Sequence, residues 1–256
     1  MAVALLPVAL VALVLLRTRS AAAFGEEGAF HPRALIVGGL TGPAYSTASA
    51  RWSFELMQRT SAPARTRPSA VRADDPALVQ EPFVWLSGRQ ALQPFTAQEI
   101  ASLRRFFGLG GILLVDDAGV SDNGNPSPFG RSAREQIARV LPDTMPIALS
   151  SDHVLFRTFY IVRRPQGRVE GPASLDAIVR GGAIQVLFTS HDLGGALAHG
   201  ATGSWEQWVT PGGEAQREYA IRLAVNIAMY TLCSNYKDDQ VHAPTLMRRR
   251  AATLKP

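Results

Sequence analysis

The run ILLVDD at residues 112–117 constrains the fold more than any other stretch of the chain. Ile112, Leu113, Leu114 and Val115 are uninterrupted apolar residues. A strand with one wet face would alternate, so this one is expected to be covered on both faces. The residues before it set its context. Thr96 and Glu99 have capping-box spacing, in which each side chain satisfies the other's orphan backbone N–H. Ile100, Leu103, Phe106 and Phe107 then form one apolar helical stripe. Gly108, Gly110 and Gly111 stop the helix, since glycine takes a left-handed conformation without steric cost. A capped helix, a tight turn and a doubly covered strand are the parts of a βαβ unit. Asp116 and Asp117 fall where the strand emerges, the end at which open α/β sheets bind ligands.

The remaining pattern extends this unit. Short apolar runs at 34–37, 83–86 and 184–188 read as buried strands, and Val71 as part of another. Residues 48–59 and 132–140 read as crossover helices, and 214–233 as a long last helix. Residues 154–156 and 159–162 read as two further strands, and Ile178 and Val179 as one more, separated from 184–188 by Gly181 and Gly182. Residues 118–131, rich in Gly, Pro and Asn, read as a long loop of the kind that often carries function. Alternating strands and helices predict an α/β sandwich with a mostly parallel sheet.

Residues 1–16 are nearly all apolar, and Ala21, Ala22 and Ala23 follow two arginines. This is the layout of a signal peptide or an N-terminal anchor spanning 1–23. The apolar run is shorter than the roughly 20 residues of a spanning helix. The expected organisation is therefore a leader at 1–23, an α/β domain at 24–233 and a C-terminal tail at 234–256. An exported protein, periplasmic or anchored in the membrane through its N-terminus, follows from the leader.

The formal charge of +5 is partly terminal, with Arg248, Arg249 and Arg250 in one cluster. No basic stripe is interleaved with aromatics, so nucleic acid is not an expected partner. The single cysteine, Cys233, rules out an intrachain disulfide. It also lies at a helix end, where a structural thiol is expected rather than a nucleophile. Ser87 lacks the Gly-x-Ser-x-Gly elbow. Gly38, Gly39 and Gly42 match neither the dinucleotide fingerprint nor a P-loop, so no cofactor is named by a motif.

The candidate ligand-binding residues are Asp116, Asp117, Asp152, His153, His191 and Asp192. Carboxylates with histidine at strand ends suit acid–base work or a divalent cation. Their spacing matches no recognised metal-ligand motif. The competing reading is local: each side chain caps a neighbouring turn through its own backbone. Neighbouring strand residues also face opposite ways, so Asp116 and Asp117 do not address one ligand without a sharp bend.

Several segments, in order, resemble the bacterial family of domain of unknown function 4159. They are Leu103-Arg104-Arg105-Phe106-Phe107 with Gly110 to Asp117, Arg59-Thr60, and Asp152 to Phe156 leading to Phe159-Tyr160. His191-Asp192-Leu193-Gly194 and Asn226 to Tyr230 complete the set. The resemblance implies a flavodoxin-like sandwich similar to class I glutamine amidotransferases. The cysteine nucleophile of those enzymes is absent here, with Asp116 and Asp117 standing at the corresponding strand end. It further implies an envelope setting, with MoxR-type ATPases or von Willebrand factor A-type proteins as partners. The function expected is a non-enzymatic ligand- or partner-binding domain. The alternative is a hydrolase working through the carboxylates and histidines of the sheet edge, with or without a metal. A flavodoxin-type cofactor domain is disfavoured, because no phosphate-cradling loop is present.

Overall fold

A computed structural model describes residues 28–121 and 125–253, with side chains described as far as Ser234. The expected leader, residues 1–23, lies outside the described residues. Among the described residues, no helix is long and apolar enough to cross a membrane.

The elements in chain order are β1 (Arg33–Ile36), α1 (Ala48–Thr60), β2 (Ala70–Arg72), β3 (Phe83–Gly88), α2 (Ala97–Gly108) and β4 (Ile112–Asp117). They continue with α3 (Pro128–Val140), β5 (Ile147–Ala148), β6 (Asp176–Arg180), β7 (Ala183–Thr189), α4 (Leu193–Leu197) and α5 (Gly213–Thr253). The strands form one seven-stranded sheet in the order β2-β1-β3-β4-β7-β6-β5. The first five of these run parallel, and β6 is antiparallel to both β7 and β5. The β2-β1-β3-β4 portion has the order of flavodoxin-like sheets. Both edge strands are short, three residues in β2 and two in β5.

Every residue of β3 and β4 is buried, as their apolar runs predict. Alternate side chains feed two cores. Phe83, Trp85 and Leu114 pack beneath α1, α4 and α5, while Val84, Leu86, Leu113 and Val115 pack beneath α2 and α3. Helix α1 is tied to α5 by Trp52, whose indole N–H donates to the Ala224 carbonyl at 2.8 Å. Its ring meets those of Phe83 and Trp85 edge-on, 5.7 and 5.3 Å away. Helix α2 begins with the full capping box, Glu99 N–H to Thr96 at 3.2 Å and Thr96 N–H to Glu99 at 2.7 Å. The free oxygen of Glu99 accepts from the Gly38 N–H, which fastens the helix start to the turn after β1. The β6–β7 hairpin turns through Gly181 (φ +58°) and Gly182 (φ +82°). A two-residue turn with both residues left-handed matches the twist of its strands.

Three expectations differ from the structure. Helix α3 starts at Pro128, inside the stretch read as loop. Pro128 follows the cap residue Ser127, the position at which the missing proline N–H costs nothing. Residues 154–156 and 159–162 are not strands: Val154–Arg157 is a 3₁₀ turn and the rest is irregular. The backbone there has a side chain as partner in place of a sheet. Asn226, fully buried on α5, accepts from the N–H groups of Phe159 (3.3 Å) and Tyr160 (2.8 Å) and donates to the Tyr160 carbonyl (2.8 Å). The last helix continues past Cys233 to Thr253. The first residues beyond Cys233, Ser234 to Val241, contain no glycine or proline to stop it.

Candidate functional site

Asp116 and Asp117 both emerge at the C-terminal end of β4, and their side chains diverge to the two faces of the sheet. Asp116 is completely buried and accepts from Leu193 N–H and Gly194 N–H, both at 2.8 Å. These are the first amides of α4, so Asp116 supplies acceptors to backbone donors that a helix start leaves without partners. Asp117 is 1% exposed and turns toward α3. It accepts from the Ser127 N–H at 2.8 Å, the Ser127 hydroxyl at 2.5 Å and the Gly119 N–H at 3.1 Å. Ser127 in turn accepts from Phe129 N–H and Gly130 N–H as the cap of α3. A side chain at Gly130 would collide with the Asp117 carboxylate, so only glycine allows this approach. The two adjacent carboxylates therefore anchor one helix on each side of the sheet.

Asp192 belongs to the Asp116 side. It follows β7 in a left-handed conformation (φ +53°, ψ +63°) and caps α4 through a 3.0 Å bond from Gly195 N–H. Aspartate tolerates this conformation better than most residues. Its other oxygen accepts from the Tyr45 hydroxyl at 2.8 Å and from the Arg168 guanidinium. Burial, then the Asp192 charge beside it, pushes the Tyr45 hydroxyl up to about 12, so it remains a donor. Burial, then repulsion from Asp192, pushes Asp116 up to about 8, against the pull of the two α4 amides. Burial raises Asp192 as well, but the Arg168 pair opposes the shift. With a guanidinium on one carboxylate and none on the other, the negative charge resides on Asp192 and the proton on Asp116. Ser87 is the β3 neighbour of Asp116 in register, and its buried hydroxyl has no hydrogen-bond partner among the described residues.

His191 is 1% exposed and bonded at both nitrogens, to the Thr189 hydroxyl (3.0 Å) and the Pro172 carbonyl (2.9 Å). A carbonyl only accepts, so Nε2 carries the proton and Nδ1 accepts from Thr189. Burial pushes this imidazole down to about 4, so it is neutral at physiological pH. Residues 163–172 lie across this corner. Arg168 N–H and Val169 N–H donate to the Asp192 and His191 carbonyls, at 3.0 and 3.1 Å.

Asp152 and His153 do not join this group. Asp152 is exposed and pairs with Arg157 at 2.8 Å. His153 caps the 3₁₀ turn by accepting the Leu155 N–H, and burial holds its imidazole below the usual range. Its ring lies 6.2 Å from that of Tyr230. The Tyr230 hydroxyl accepts from Ile184 N–H at the start of β7, the end of that strand opposite Asp192. Among the described residues, no three His, Cys, Asp or Glu side chains are grouped to hold a metal ion.

Sequence reasoning did not single out Tyr45, Arg168 or Ser127, each of which bonds directly to a candidate carboxylate. For Ser127 a signal existed: serine followed by Pro128 is a helix-start signature. For Asp192, the order Ser190-x-Asp192-x-Gly194 marks a tight strand-to-helix turn. Side chains larger than those of Gly194 and Gly195 would strike Asp116 and Asp192 there. Tyr45 and Arg168 have no local signal, because they reach Asp192 from segments distant in sequence.

A parallel-sheet α/β sandwich whose strand-end acids are committed to helix starts and to internal pairs defines a class of domain, not a reaction. Within that class the chain belongs to the domain of unknown function family DUF4159, whose model matches residues 38–232. No curated protein sequence matches it.

Proposed function

We propose that this chain is a non-enzymatic binding domain of the bacterial cell envelope, exported or held at the membrane by its N-terminal apolar segment. One observation carries the non-enzymatic part. Asp116, Asp117, His191 and Asp192 are all buried, and their polar atoms are met by protein donors and acceptors, so none is presented to a substrate. A general base must reach the proton it removes directly or through one water. The outer surface of the α1–α5 layer supports a partner-binding role. There the Arg222 guanidinium lies between the rings of Tyr160 and Tyr219, and Phe159 stacks edge-on against Tyr160. Phe159 and Tyr219 are each 43% exposed, giving an aromatic surface rimmed by charge. MoxR-type ATPases and von Willebrand factor A-type proteins are the partners that the resemblance to this family suggests.

A second reading has Asp192 behind it. Asp192 stands at a left-handed strand-to-helix turn beside Tyr45 and Arg168, and a hydrolase would use that carboxylate and the neighbouring His191, with or without a metal. Melting curves with Mg²⁺, Mn²⁺, Ca²⁺ and Zn²⁺, and assays on activated esters, separate the two. The binding-domain reading expects no metal-dependent rise and no turnover. A rise in melting temperature or an esterase rate that Asp192→Asn abolishes overturns it. Fractionation of cells expressing the full chain tests the location, and recovery in the cytosol overturns the envelope assignment.

A further inference from the structure

At the end of the sheet opposite Asp116 and Asp192, three neighbouring strands are each preceded by a polar side chain. Ser69 precedes β2, His31 precedes β1 and Glu81 precedes β3. The strands lie in the order β2-β1-β3, which sets the histidine between the serine and the carboxylate. The Ser69 hydroxyl is 2.7 Å from His31 Nε2, and His31 Nδ1 is 2.8 Å from a Glu81 oxygen. Glu81 also pairs with the guanidinium groups of Arg33 (3.2 Å) and Arg65 (2.9 Å), so it is ionised and only accepts. The proton of the neutral imidazole is therefore on Nδ1, and Nε2 accepts from the Ser69 hydroxyl.

A hydroxyl is a weak nucleophile until an adjacent base, itself oriented by a third group, draws on its proton. Such a constellation is recognised by geometry and roles, not by chain order. Ser69 is half-buried and lines a hollow of about 240 Å³, with Pro43, Pro68 and Ala70 on its open side. An apolar cavity of about 150 Å³ accommodates one benzene ring, so a short acyl chain has room here. Ala34 and Ala70 are ladder partners, and the Ala34 N–H donates to the Ser69 carbonyl at 2.9 Å. In a parallel pair this turns the N–H of Ala70 itself outward, along the open edge of β2. A backbone N–H one residue beyond a nucleophilic serine is a usual donor to an acyl oxyanion. The His31 side chain is only 10% exposed, so it serves Ser69 and has no open side for a water.

We propose that Ser69 is a covalent modification site, which takes a short acyl group from an activated acyl donor and keeps it. Ser69 Oγ attacks the donor carbonyl as its proton passes to His31 Nε2. The new ester bond forms, the bond to the leaving group breaks, and the leaving group departs as an anion. Glu81 balances the imidazolium until its proton passes to solvent. With no water activated at the covered imidazole, the ester persists. The transfer is stoichiometric, so it goes beyond the binding-domain reading without giving the chain a turnover.

Mass spectrometry of the full chain treated with p-nitrophenyl acetate tests this. One acetyl group is expected on Ser69, with a burst of one equivalent of nitrophenolate and no steady release after it. Ser46 and Ser49 border the same hollow but have no histidine bonded to them among the described residues, and they are expected to stay unlabelled. Ser69→Ala is expected to abolish the label, and His31→Gln to slow it at least roughly hundredfold. If His31→Gln does not fold by circular dichroism, the contrast between Ser69 and the other two serines decides. Acetyl groups found only on Lys237, Lys255 or the terminal amine, or equally on all three serines, overturn the proposal. So does sustained release that is lost in Ser69→Ala, because His31 then reaches a water. An esterase rate lost in Asp192→Asn but kept in Ser69→Ala overturns the binding-domain reading and leaves the Ser69 label in place, so either can fail alone.

Discussion

Removing the Asp117 carboxylate is the most direct test of the claim that the strand-end acids hold the fold together. Asp117→Ala deletes three charge-assisted hydrogen bonds, from Ser127 N–H, the Ser127 hydroxyl and Gly119 N–H. Bonds to a charged group contribute about 1.5–3 kcal/mol each, and removal also strands donors in a site that is 1% exposed. Against this stands relief of the cost of burying the charge, and Ser127 keeps its own capping bonds to α3. The net expectation is about 4 kcal/mol of destabilisation. For a domain of this size that corresponds to a fall in melting temperature of about 8–16 °C. Urea unfolding followed by far-ultraviolet circular dichroism gives the free energy, and hydrogen exchange at Phe129 and Gly130 gives the location. Asp117→Asn, which keeps one acceptor but turns an NH₂ group toward donors, should recover less than half of the loss. A loss below about 1 kcal/mol in Asp117→Ala, or full recovery in the asparagine variant, would refute the anchoring argument.

Two titrations make opposite predictions. The depressed His191 gives stability that is complete above its unfolded value of 6.5 and lost as pH falls toward about 4. Its full contribution is about 3 kcal/mol. His191→Gln should remove most of this acid sensitivity in urea unfolding curves measured across that range. Asp116 is raised, so its contribution is present below 3.8 and lost as pH rises through about 8. Between pH 6.5 and 8 it acts without His191, and wild type should lose stability there while Asp116→Asn stays level; parallel slopes would count against the buried pair. Asn226→Leu should cost about 2–4 kcal/mol and speed hydrogen exchange at Tyr160, because two amides and a carbonyl lose their shared partner. Unchanged exchange at Tyr160 would show that this segment is held by other contacts.

Local signals in the sequence carried much of this architecture. The ILLVDD strand, the Thr96–Glu99 capping box and the Gly181–Gly182 turn each rest on neighbours in the chain, and each has the form expected of it. The divergence of Asp116 and Asp117 was also legible, because alternation along a strand is a property of the backbone. What lay beyond reach depends on distant residues. Phe159 and Tyr160 have the composition of a strand, but Asn226, 66 residues from Tyr160, takes the place of a neighbouring strand. Likewise nothing near Asp192 announces Tyr45, which meets it across 147 positions. The candidate acids were recognisable by position; their commitment to amides, a guanidinium and a phenol was not.

The short edges of the sheet bear on how the protein meets others. β2 offers three residues and β5 two, too little unpaired backbone to template another strand. Lateral growth of the sheet, by an added peptide strand or by a second copy placed edge to edge, is closed off at both ends. What the domain chiefly turns outward is the side chains of the helices and loops that cover the sheet.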